Sequence, residues 1–109
     1  MMSPELCSSI SARVTWASRI ALPNGTGLQG YLPEGTRYED VIRVFGNPQF
    51  GKSPDGKIKV EWVGQINGLV FTIYDYKSRL EPERNTDWHI GGKIKFAADL
   101  VVMYFLAKK

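Results

Sequence analysis

The sequence predicts an α+β fold: an antiparallel sheet of four to five strands, a short helix after a first hairpin, and a C-terminal apolar helix. Three observations carry this prediction. Asn67-Gly68 sits between two stretches that alternate in hydrophobicity, Lys57 to Ile66 and Leu69 to Tyr76. A capped amphipathic pattern runs from Thr36 to Gly46. The tail from Lys93 to Ala107 holds Ala97, Ala98, Leu100, Met103 and Leu106, all good helix formers. The 109 residues suit a single domain without internal repeats, and residues 1–10 read as a loose end. At 43% hydrophobic, with three Trp, five Tyr and five Phe, the chain can fill a core.

From Arg13 to Leu22 the pattern alternates. Val14, Trp16, Ile20 and Leu22 point one way, Arg13, Thr15 and Arg19 the other, as in a half-buried strand. Pro23-Asn24-Gly25 supplies turn chemistry, and Leu28 to Leu32 returns as the second strand of a hairpin. A helix through Ile10, Val14 and Ala17 is the competing reading. Thr36 followed by Glu39 then matches a capping box. Tyr38, Val41, Ile42 and Phe45 share one helical face while Arg37, Asp40 and Arg43 meet water. Gly46 suits a left-handed cap and Pro48 forbids continuation. Such a short helix is not stable alone and must dock on the sheet.

Residues 49–56 form a loop. The preferred type I′ pair Asn67-Gly68 then sets the register of the second hairpin, with Ile66 facing Leu69, Gly64 facing Phe71 and Trp62 facing Ile73. One face carries Ile58, Val60, Trp62, Phe71 and Ile73 and must be core. The other pairs Lys59 with Tyr76, Glu61 with Tyr74 and Val63 with Thr72, a mixed surface suited to a partner or ligand. Residues 78–87 are polar and read as an exposed loop. Trp88 to Ile90 make a short strand ended by Gly91-Gly92. The final helix is apolar nearly all round, so part of it is expected to bury against a second copy.

Several function classes fall away. A lone Cys7 excludes an internal disulfide framework, and with His89 as the single histidine a zinc finger is excluded too. A metal site would have His89 and carboxylates only, so neither metal nor cofactor is expected. The longest apolar stretch, Phe96 to Ala107, covers 12 residues and includes Asp99. A bilayer span needs about 20. With no basic start followed by an apolar block, the reading is a cytoplasmic protein without a membrane partner. Residues 1–50 hold four basic and four acidic side chains and residues 51–109 ten and seven, so the second half carries the +3 charge. Asp55, Glu61 and Asp87 interrupt its lysines, which argues against nucleic-acid binding. No spacing fixes an acid and base pair, and Cys7 lies far from His89, so the sequence favours binding over catalysis. Metal-independent catalysis by His89, Lys77 and Tyr74 stays open, as in a small phosphodiesterase.

Two segments could hold a ligand. In Trp88-His89-Ile90-Gly91-Gly92-Lys93, two glycines before a helix let backbone amides meet an anion, Lys93 adds charge and His89 a tunable donor. The plainer reading has the glycines merely turning a strand into a helix and His89 serving structure. In Tyr74-Asp75-Tyr76-Lys77, both tyrosines point to the less buried face, where rings stack on a base and hydroxyls donate. Asp75 points coreward or caps a loop amide. Packing of Tyr74 and Tyr76 under the C-terminal helix is the alternative. The expected ligand-binding set is Tyr74, Tyr76, Lys77, Trp88, His89, Gly91, Gly92 and Lys93.

Taken together, Gly35-Thr36-x-Tyr38-Glu39-Asp40-Val41, Phe45-Gly46-x-Pro48, Asp55-Gly56-Lys57, Glu61-Trp62, Ile73 to Lys77 and Trp88 to Gly92 look like a group of small phage-encoded proteins. The similarity spans about residues 28–105 and is most specific in the tyrosine-lysine strand and the Trp-His-Ile-Gly-Gly that follows. It implies a phage protein in the host cytosol. By association with small phage proteins of this size, it also implies an antagonist of host defence. The expectation is a non-enzymatic binding protein that sequesters a phosphate-bearing nucleotide signal. Gly91-Gly92 and Lys93 would take phosphate, Tyr74 or Tyr76 would stack on the base, and His89 or Trp88 would line the wall. The alternatives are a protein-binding inhibitor that occludes a host defence protein, a weak nucleic-acid binder, or the small phosphodiesterase.

Overall fold

Val14–Trp16 (β1), Gly27–Tyr31 (β2), Glu61–Ile66 (β3), Leu69–Tyr74 (β4) and His89–Gly92 (β5) form one antiparallel sheet in the order β1-β3-β4-β5-β2. The computed structural model describes residues 14–16 and 26–109. Tyr38–Phe45 (α1) and Lys95–Lys108 (α2) are the helices, and Pro82–Arg84 forms a 3₁₀ turn. This is the α+β fold expected, with the short helix following the second strand and an apolar helix at the end.

The β3–β4 hairpin is built from its turn. Asn67 and Gly68 both have positive φ (50° and 81°), as a type I′ turn requires, and the ladder pairs Ile66 with Leu69, Gly64 with Phe71 and Trp62 with Ile73. Trp62, Phe71 and Ile73 are fully buried. The ladder is shorter than the alternation suggested, because Asp75 leaves it. The buried Asp75 carboxylate accepts the amides of Lys59 (2.9 Å) and Val60 (3.1 Å) on one oxygen, so Lys59 has no ladder partner in Tyr76. The Lys59 ammonium instead donates to the Leu80 carbonyl at 2.7 Å.

The first two strands do not pair with each other. β1 lies beside β3 and β2 beside β5, at opposite edges of the sheet. Alternation identifies a strand but not its neighbour, and β2 finds its place through α2: a side chain at Gly30 would touch the Ala98 methyl at 3.3 Å. The loose end at 1–10, most of the Arg13–Leu22 strand and the Pro23-Asn24-Gly25 turn lie outside the described residues.

Residue 37, not Thr36, caps α1. The Arg37 amide donates to the Asp40 carboxylate at 3.0 Å. Thr36 is buried, and its hydroxyl is already committed to the Pro33 carbonyl at 2.6 Å. Two indoles hold the helix at its ends. Trp88 Nε1 donates to the Thr36 carbonyl (3.0 Å) and Trp62 Nε1 to the Gly46 carbonyl (2.9 Å). The two indoles meet edge to face at 5.6 Å, with Tyr38 5.9 Å from each. Val41 and Phe45 are buried, as the helical spacing predicted.

α2 covers the same face of the sheet through Ala97, Ala98, Leu100, Val101 and Phe105. Phe96, Met103 and Leu106 stay about half exposed on its outer side (57%, 49% and 56%). Among the described residues, no helix is long and apolar enough to cross a membrane.

Candidate functional site

The face of the sheet opposite α1 and α2 holds the residues of interest. Directly paired residues share a face, and the registers of β3, β4, β5 and β2 align Glu61, Tyr74, His89 and Tyr31 in one lateral row. Tyr76, just past β4, joins them. Three tyrosines pack around the imidazole: Tyr31 at 5.0 Å between ring centroids, Tyr74 at 5.4 Å and nearly parallel, and Tyr76 at 5.8 Å. The Tyr74 and Tyr76 rings stand at 86° to each other, 6.3 Å apart. The Lys77 ammonium lies 5.4 Å from the centre of the Tyr76 ring, within cation–π range. Tyr31 and Tyr76 are exposed, and Tyr74 and His89 are half-buried beneath them.

Two polar groups in the row have no hydrogen-bond partner among the described residues. His89 Nδ1 is buried and makes no hydrogen bond to any of them. The Glu61 carboxylate makes no ion pair or hydrogen bond among the described residues, while its backbone exchanges two bonds with Phe50 at 3.0 Å. Burial pushes the Glu61 carboxyl above its ordinary pKa. Burial likewise raises the Tyr74 phenol, and the negative charge of Glu61 adds to that shift. Towards the hairpin turn this face closes, for Val63 and Thr72 are buried. Gly91 sits beside Thr72, and a methyl group there would collide with the Thr72 hydroxyl under Tyr74.

The structure therefore brings Tyr74, Tyr76, Lys77 and His89 together. It does not add Trp88, which is buried on the opposite face with its indole bonded to Thr36. Gly91 and Gly92 are strand residues rather than a turn, paired to β2 on one side and β4 on the other, and both are buried. The strand-to-helix step falls after them, and α2 starts at Lys95 with Ile94 as its cap. Lys93 is exposed past the end of β5. Tyr31 and Glu61 are the members that sequence reasoning did not name as site residues. Glu61 was already paired with Tyr74 by the turn, whereas nothing local in the sequence joins Tyr31 to His89.

On the helix side, the start of α1 and the 3₁₀ turn border an open cleft of about 490 Å³, lined by Arg37, Tyr38, Glu39, Glu83, Arg84 and Thr86. Two arginines oppose two glutamates there, so the cleft has no net charge to select an ionic ligand. No group of three or more potential metal ligands occurs among the described residues. Comparison with protein-family models, curated proteins and solved structures finds no match to this chain.

Proposed function

We propose that this chain is a non-enzymatic binding protein whose far sheet face takes a phosphate-bearing nucleotide. The observation that carries the reading is the packing of Tyr31, Tyr74 and Tyr76 about His89, whose buried Nδ1 lacks a hydrogen-bond partner among the described residues. Aromatic side chains grouped on a strand face suit base stacking, worth about 1–3 kcal/mol per base. Lys77, beside Tyr76, is the cation placed to meet the phosphate. Lys93 lies about 13 Å further along an extended strand, so the phosphate role passes to Lys77. In the phage setting that the sequence resemblance implies, holding such a nucleotide in the host cytosol would mute a defence signal.

Native mass spectrometry on freshly purified protein, with a denatured control, tests this directly. The expected result is an added mass that matches a nucleotide and is lost on denaturation. Thermal stabilisation should accompany it, since saturation at a hundred times Kd adds about 2.7 kcal/mol. Lys77→Glu changes an exposed side chain, so it should keep the wild-type melting temperature and lose binding, and Tyr76→Ala should also lose binding while remaining folded. Folded variants that bind as well as wild type would overturn the proposal.

A second reading has its own observation. Phe96, Met103 and Leu106 recur at helical spacing on the exposed side of α2. Such a stripe suits self-association through α2, or docking on a host defence protein that the chain occludes.

A further inference from the structure

Resting on that reading, we infer that Glu61 makes the nucleotide face selective for guanine. Glu61 stands directly opposite Tyr74, one strand away on the same face, and its charge acts on the Tyr74 phenol, whose ring stands perpendicular to that of Tyr76. A base stacked between those two rings presents its hydrogen-bonding edge to the neighbouring strand. Among the described residues, the carboxylate is unpartnered. Its two acceptor oxygens can therefore take a matched pair of donors.

Base chemistry decides which ligand fits. Guanine offers two adjacent donors, N1–H and the 2-amino group, and an ionised carboxylate accepts both at once. Adenine and cytosine each set one amino donor beside a ring nitrogen whose lone pair the second oxygen repels. Uracil offers a single N–H between two carbonyl oxygens. A ligand in which a bare cation replaces the base fits less well. An aromatic cage needs a void between its rings, and here the rings close on His89 at 5.0 to 5.8 Å.

The test is isothermal titration of wild type and Glu61→Gln with GMP, AMP, CMP, UMP and IMP. Wild type should prefer GMP over AMP, CMP and UMP by roughly ten- to hundredfold, the discrimination of a good bidentate contact. It should also prefer GMP over IMP, which lacks the 2-amino group, by about tenfold. Glu61→Gln should bring the five ligands close together, since its amide NH₂ opposes one of the guanine donors. Equal binding of all five to wild type would overturn the guanine assignment and leave the nucleotide reading standing. So would a GMP preference that survives Glu61→Gln. Failure of every nucleotide to bind would sink both. The comparison of GMP with IMP uses wild type alone, so the inference stays exposed to refutation whatever the folding of the variant.

Discussion

At Glu61 the fold holds a carboxylate where burial disfavours its charge. The consequence for stability has a definite sign. A carboxyl whose folded pKa is raised binds its proton more tightly in the native state than in the unfolded chain. Stability therefore falls as pH rises from the ordinary value of 4.5 through the elevated native pKa, and then stays level. Glu61→Gln should melt at a higher temperature than wild type at pH 7, and the gap should close as pH is lowered below 4.5. Melting curves across pH read this out; a variant less stable at pH 7 would show that the carboxylate has a partner that stabilises it. The cost falls on a side chain that stands directly opposite Tyr74 on the far face of the sheet.

Among the elements, the β3–β4 hairpin has two fastenings of different kinds. Its closed end is a turn whose positive φ angles the sequence announces. Its open end is the Asp75 carboxylate, which takes two backbone amides on one oxygen and leaves the other, buried, without a hydrogen bond. Asp75→Ala would leave the amides of Lys59 and Val60 without an acceptor and should cost about 1–3 kcal/mol in urea denaturation. Because Tyr74 and Tyr76 flank this residue, the loss should also loosen the proposed nucleotide binding. Unchanged stability would mean that water replaces the carboxylate without penalty. α1 shows the converse case. Its apolar face was legible from helical spacing, but its cap was not, because Thr36 spends its hydroxyl on Pro33.

For the molecule as a whole, legibility followed sequence distance. The hairpin register, the core face of β3 and β4 and the mixed face behind it follow from one local turn. The sheet order does not, because β2 joins β5 across the whole of α1, β3 and β4. Tyr31 went unrecognised for that reason. Trp88 was misplaced for another: within an alternating strand His89 faces out, so its neighbour faces in, against Tyr38 and Trp62. The Gly91-Gly92 pair looked like an anion-binding turn from strand into helix, but glycine is needed there for space, against Thr72 and the Val70 carbonyl. The exposed stripe on α2 bears on assembly. If it joins two copies, Met103→Lys should shift the mass seen by light scattering from dimer to monomer while the melting profile keeps its shape. A wild-type protein that is monomeric at high concentration would end that idea.

The two buried indoles give α1 a property that its length alone would not. One grips the carbonyl just before the helix and the other the carbonyl just after it, and the two rings rest on each other. A surface helix of eight residues ordinarily frays from its ends. This one has no loose end to begin from, so it leaves the sheet whole or not at all. α1, β3 and the segment that leads into β5 thus open as one cooperative unit, and thermal breathing is directed elsewhere in the chain.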